Sequence, residues 1–151
     1  MNTKSFFIIT FYRISNFFSK KIFLKILGFP IRILYKIVIR WILSVDLPDK
    51  TVLGKNIIIY HAFGLVVHEK VIIGSNVVLR QCTTIGNRKN NEGCPIIQDN
   101  VNIGANVVII GPIKIGFNSI IGAGSVVLND VEPNSVYAGN PAIKIKDLSK
   151  Y

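Results

Sequence analysis

The sequence predicts an all-β body, a parallel β-helix of very short strands, carrying a short helical N-terminal arm. Three observations predict it. An aliphatic residue returns every six positions from residue 67 onward, corner-forming residues recur at a fixed place within each six, and the first 45 residues differ from the rest in charge and aromatic content.

The arm comes first in the chain. Residues 1–45 contain Lys4, Arg13, Lys20, Lys21, Lys25, Arg32, Lys36 and Arg40 and no acid, which accounts for +8 of the net charge of +10. They also hold ten of the fifteen aromatic residues. A uniformly basic chain would suggest nucleic acid; a basic, aromatic arm on a nearly neutral body suggests a surface-seeking arm instead, and no nucleic-acid partner is expected. No uncharged apolar run approaches the roughly 20 residues needed to span a bilayer. The run FFIITFY, 6–12, is short for a signal-peptide core, and no small-residue cleavage site follows it. From Pro30 to Ser44 the pattern reads as a helix, with Pro30 in its first turn. Arg32, Lys36 and Arg40 recur there at i, i+4 and i+8, one cationic stripe on an otherwise apolar cylinder. Two readings follow. The arm lies on an anionic inner-leaflet surface, each basic residue contributing about 1 kcal/mol, or it packs on its own body or on neighbouring subunits with the stripe facing water.

In the body, Val67, Ile73, Leu79 and Ile85 are followed, after a gap of twelve, by Ile97, Ile103, Ile109, Ile115, Ile121 and Val127. A helix of period 3.6 would scatter positions six apart over different faces. Short strands joined by tight corners keep them together, and Asn76, Asn106, Asn118 and Gly124, each three places after an aliphatic residue, are types that tolerate φ > 0. Leu53 and Ile59 keep the spacing but sit out of phase with Val67, so the register shifts within 60–66. The gap of twelve contains NRKNNEGCP, 87–95, which reads as a loop thrown out from the coil. VYAGNPAIKIK, 136–146, breaks the repeat and leaves a basic tail. The organisation is thus an arm over 1–45, a repeat domain over 46–146 and a tail over 147–151. Two cysteines are too few for a disulfide framework, so a reduced, cytoplasmic setting is expected. The isolated His and Cys residues lack the close pairing of a structural zinc site, and no metal is expected.

Four segments carry a resemblance. HAFGLVVHE (61–69), RQCTTIGN (80–87), IGAGSVV (121–127) and AGNPA (138–142) resemble the signature segments of the hexapeptide-repeat acyltransferases, and within them the serine acetyltransferase-like branch. The resemblance implies a left-handed β-helix, a homotrimer, and acetyl-CoA lying in the groove between two subunits. Carried over by position, it implies that His61 is the catalytic histidine, that Asp46 pairs with it, and that Glu69 helps to place the acceptor. The chemistry is sound: an imidazole, with an unperturbed pKa of about 6.5, can take a hydroxyl proton as the oxygen attacks a thioester. A carboxylate on the other ring nitrogen fixes the tautomer. Gly86 or Asn87 is expected to offer a backbone N–H to the oxyanion. Ala105 and Ala123 match cofactor-contact positions, although simple corner packing explains them equally well. Lys144 or Lys146 is expected near the cofactor phosphates, since Ile120 stands where the serine enzymes often carry a lysine.

The chain also departs from that branch. It has a short basic arm where the serine enzymes have a long helical domain, and Tyr60 replaces the acid that usually precedes the histidine. Gly93-Cys94-Pro95 stands where they show R-H-P, which removes the cationic clamp for an amino-acid carboxylate. These departures resemble the short capsule, colanic acid and O-antigen acetyltransferases. The expected function is therefore acetyl-CoA-dependent O-acetylation of a sugar of a surface polysaccharide, with serine O-acetylation as the alternative. A non-catalytic β-helix that binds a partner is the alternative from another class. Tyr60, His68, Glu69, Gln81 and Cys94 are the expected acceptor-side residues. His68 stands where the serine enzymes have glycine and either lines the pocket or occupies a corner. Cys94 has no base near it in sequence and reads as a passive loop cysteine.

Overall fold

A computed structural model describes residues 3–148 of the chain. The arm forms α1 (Thr3–Ser19), α2 (Ile22–Leu27) and α3 (Phe29–Tyr35), and α3 runs on into a π-helical segment, Lys36–Ile42. The helix expected from Pro30 is present, with Pro30 in its first turn, but it changes winding half-way. Gly28 lets α2 and α3 fold back on α1, because a Cβ there would fall 2.3 Å from the Phe18 ring.

The body winds as four coils. The first holds β1 (Val52–Leu53), β2 (Ile58–Tyr60) and β3 (Val66–Val67); the second β4 (Ile72–Ile73), β5 (Val78–Arg80) and β6 (Thr84–Gly86). The third holds β7 (Ile96–Ile97), β8 (Asn102–Ile103) and β9 (Val108–Ile110); the fourth β10 (Lys114–Ile115), β11 (Ile120–Ile121) and β12 (Val126–Val127). Each strand pairs in parallel with its counterpart one coil on, giving three sheets that form the sides of a prism. All ten of the six-spaced aliphatic residues from Val67 to Val127 point inward and are buried. Each contributes about 1.5–3 kcal/mol by leaving water. The corners need the left-handed backbone: Asn76, Asn106, Asn118 and Gly124 have φ of 57°, 57°, 54° and 71°.

Register shows where the winding departs from regularity. The regular coil is eighteen residues, as in Val67 opposite Ile85 and Ile109 opposite Val127. Ile59 instead pairs with Leu79, twenty residues on, so the first coil carries two extra residues after Tyr60. Ile73 pairs with Ile97, twenty-four residues on, and the six extra residues are the loop within 87–95. At the far end the segment read as a basic tail is an ordered hairpin: β13 (Ser135–Gly139) joins the second sheet beside β11, and β14 (Ala142–Asp147) pairs antiparallel with it. Alternating lysines and isoleucines over 142–147 are strand-like once β13 offers an edge. Residues 149–151 of the expected tail lie outside the described residues.

The first coil would leave an open edge on each sheet, and the arm, with Asp46 directly after it, bonds to all three. Ile59 N–H donates to Ser5 Oγ at 2.9 Å on the edge of β2. Arg13 donates to the Leu53 carbonyl at 2.9 Å and to that of Gly54 on the edge of β1. Asp46 bridges Val66 on the edge of β3, accepting from Val67 N–H and donating to Leu65 O, both at 2.8 Å. Tyr12 and Tyr35 donate to the carbonyls of Thr51 and Leu47. Beneath them Asp49, 4% exposed, accepts from Arg32 Nε at 2.7 Å and Ser15 Oγ at 2.9 Å. Arg32 therefore turns in to the body, while Arg40 stays largely exposed and only its guanidinium reaches back to Asp46, because two acids on the adjoining segment take them as partners. Lys36 stays outward.

Asp49→Ala is expected to lower stability by about 3–5 kcal/mol, since it strands Arg32 in a largely buried site; urea unfolding measures this. Burial pushes the Tyr12 phenol up from 10.0 to about 12, with Arg13 opposing and Asp49 adding to the shift. Folding thus favours the protonated phenol: its contribution is complete below the unfolded value and is lost as pH rises through about 12. In a spectrophotometric titration, Tyr12→Phe is expected to remove one of the late-ionising tyrosines and to soften alkaline loss of helix.

Candidate active site

The two extra residues of the first coil create the first part of the site. They push the chain out at the corner after β2, and His61 sits on that bulge, exposed, with φ of 51°. This left-handed corner backbone is shared by nine other non-glycine residues among those described, so it is the register break, and not the φ value, that sets His61 apart. Gln81 follows Arg80, the register partner of Tyr60, so it stacks under His61. Ala105 and Ala123 continue the same edge, with Gln81 O accepting from Asn106 N–H at 3.0 Å and Ala105 O from Gly124 N–H at 2.8 Å. Small side chains at Ala105 and Ala123 leave this edge's backbone open, which suits a thin pantetheine chain. Tyr60 lies exposed beside His61, with the Arg80 guanidinium 5.6 Å from its ring centre.

A second group gathers elsewhere. A cleft of about 380 Å³ is lined by Asp46, His68, Glu69, Gly86 and Asn87, with Arg40 reaching in from the arm. Arg40 pairs with Asp46 at 3.2 Å, and Lys50 with Glu69 at 3.6 Å; both pairs are open to water and hold their partners weakly. The structure therefore does not join Asp46 to His61: among the described residues no hydrogen bond links them, and Arg40 is the partner of Asp46. Lys144 is likewise engaged, its ammonium held by Asp147 at 2.6 Å and Glu132 at 2.7 Å, which raises its pKa; a phosphate would have to displace those carboxylates.

His68 and Cys94, far apart in sequence, meet at the cleft's rim. His68 Nδ1 accepts from Lys70 N–H at 3.1 Å and lies 3.2 Å from Cys94 Sγ. Burial pushes the Cys94 thiol up, against the opposing charge of Lys70, which favours a protonated sulfur beside this nitrogen. With Nδ1 accepting from the Lys70 amide, the ring proton of the neutral imidazole is on Nε2, which makes that nitrogen a hydrogen-bond donor. Cys94 thus has a base beside it after all, yet is not an activated nucleophile. Arg40, which lines the cleft, and Lys50, which pairs with its Glu69, are residues of the site that the sequence reading missed. The acids at 46 and 49, directly after an acid-free basic arm, were the available signal.

Comparison with known proteins agrees with this layout. Residues 94–129 match the bacterial transferase hexapeptide (six repeats) family. A protein of Escherichia coli K12 named as a colanic acid biosynthesis acetyltransferase, WcaB, is 33% identical over 136 residues, covering 87% of this chain and 84% of its own length. The chain belongs to the hexapeptide-repeat acetyltransferases. The serine acetyltransferase of the same organism is 40% identical over 101 residues, but these cover only 37% of that enzyme. The serine acetyltransferase of Brucella abortus solved with coenzyme A superposes with a TM-score of 0.83 at 31% identity, covering 97% of this chain and 58% of that one. The soybean enzyme solved with serine gives 0.78 at 34% identity, covering 95% and 58%. The chain thus spans little more than half of these solved proteins. The body is a left-handed parallel β-helix of the acetyltransferase type. The likeness reaches beyond 46–146 into the arm, further than the motifs indicate.

His61→Asn is expected to keep the fold, since Asn accepts the left-handed corner as it does at 76 and 106, and to lower turnover by ~10²–10⁴-fold; circular dichroism and a thiol-release assay measure the two effects. In alkylation timed by mass spectrometry, exposed Cys82 is expected to react first. Cys94 should lag and keep accelerating as pH passes the ordinary thiol range.

Proposed function

We propose that the protein transfers acetyl from acetyl-CoA to a sugar hydroxyl of a surface polysaccharide. One observation carries this reading. The WcaB relative matches nearly end to end, whereas the serine acetyltransferases match over a part of their length. The cleft supports it. Gly93-Cys94-Pro95 puts a neutral thiol at its rim, and Arg40, the guanidinium that does reach in, is already paired with Asp46. An amino-acid carboxylate finds no unpaired fork to bind. Asp46, Glu69, His68 and Asn87 instead offer the mixture of acceptors and donors that fits sugar hydroxyls.

In the proposed reaction His61 takes the proton of the acceptor hydroxyl as its oxygen bonds to the thioester carbonyl carbon. A backbone N–H near Gly86 or Asn87 receives the developing oxyanion. The imidazolium of His61 then returns the proton to the departing thiolate as the C–S bond breaks, giving the acetyl ester and free thiol. The separation of His61 from the cleft within one chain fits a site shared between subunits. An apolar ladder, Val52, Ile72 and Ile96, stacks in register on the outer side of one sheet and suits a subunit contact in a homotrimer.

Thiol release from acetyl-CoA is expected with de-O-acetylated bacterial polysaccharide fragments and not with serine. Efficient turnover of serine with none of a saccharide would overturn the reading. Ile72→Glu is expected to dissociate the trimer in sedimentation and to abolish turnover with it.

A further inference from the structure

We propose that the outer face of the arm docks on an anionic lipid bilayer, with its lysines and Trp41 at headgroup level. The basic residues of the arm divide by type. All three arginines reach back to the body: Arg13 donates to the Leu53 and Gly54 carbonyls, Arg32 to Asp49, and Arg40 pairs with Asp46. The five lysines, Lys4, Lys20, Lys21, Lys25 and Lys36, make no ion pair among the described residues; four are exposed and Lys25 is half-exposed. The arginines hold the arm to the body, and the lysines are left for something outside it.

Between those lysines lies apolar surface. Phe23, Ile26, Leu27, Phe29 and Trp41 are 62–78% exposed, and α2, although five of its six residues are apolar, buries none of them. So many exposed apolar side chains on so short a segment call for a covering surface. A second copy of the same face is a poor cover: it would set lysine against lysine, with no acid anywhere in residues 1–45 to offset them. Anionic headgroups complement the lysines, whose stems can lie along the apolar surface while their ammonium groups reach outward. Aromatic and aliphatic side chains enter the acyl boundary beneath, as in helices that lie in the interface. Among the described residues no helix is long and apolar enough to cross a membrane, so the arm would rest on the surface.

Trp41 is the only tryptophan in the chain and reports directly on this face. The full chain is mixed with phosphatidylcholine vesicles with or without phosphatidylglycerol. The expected result is a blue shift of Trp41 and co-flotation with the phosphatidylglycerol vesicles alone, both weakened by salt. Lys20→Gln, Lys21→Gln and Lys25→Gln should each lower partitioning, by roughly fivefold per lysine. Phe23→Ser with Ile26→Ser should abolish it while leaving circular dichroism and oligomeric state unchanged. No shift with phosphatidylglycerol, or equal flotation by these variants, would overturn the proposal. So would loss of the native oligomer in Phe23→Ser with Ile26→Ser, which would show that another copy covers the face. The acceptor's identity does not enter, so failure here leaves the proposed reaction standing.

Discussion

A β-helix must terminate its sheets, and here the arm and the Asp46 that follows it place bonds on all three open edges at the start. Each interior coil satisfies its backbone with the coils on either side, whereas the first has a neighbour on one side only. An unpaired buried N–H or C=O costs about 1–3 kcal/mol, and an open edge invites pairing with other chains. Ser5, Arg13 and Asp46 each close one of the three edges, and each comes from a different part of the first 46 residues. Two helical side chains and one backbone bridge thus take the place of a missing strand. The buried Arg32–Asp49 pair, with Ser15 beside it, locks this cap to the coil.

The cap also shapes the site. Asp46 is at once the bridge that closes the third sheet and an acid of the cleft, so its carboxylate is placed by backbone pairing. Just before it, Ser44 O accepts from Gly64 N–H at 2.8 Å, which pins the far end of the bulge that carries His61. One short segment, 44–49, therefore anchors the arm, braces the corner that carries His61 and supplies the cleft with Asp46. The departures from regular winding fall at the candidate site: two residues that expose His61, and six in the loop that carries Cys94 to His68. Everything between is repetition that holds these two departures at a fixed distance.

Much of this was legible in the residues. Inward positions all meet the same packed interior, so the six-residue register shows directly in Val67 through Val127, and a missing beat shows as an excursion. The phase break between Ile59 and Val67 marked the bulge within 60–66 for that reason, and the resemblance of 61–69 singled out His61 on it. The inward turn of Arg32 was not legible, because a cationic stripe has the same spacing whether it meets water, lipid or a buried acid. What decided it was Asp49, whose burial depends on tertiary packing. Nor could any period link His68 to Cys94, since the loop between them has no repeat. The β13–β14 hairpin was hidden because its lysines alternate with isoleucines on a strand that needs β13's edge to form.

Native-state hydrogen exchange tests the capping role most directly. In the intact protein the Ile59 amide and its neighbours in the first coil should be protected nearly as well as those of the second and third coils. A variant combining Ser5→Ala with Arg13→Met should lose that protection in β1 and β2, while β7, β8 and β9 exchange as before. Unchanged protection in the first coil would contradict the account, as would a uniform loss across all four coils.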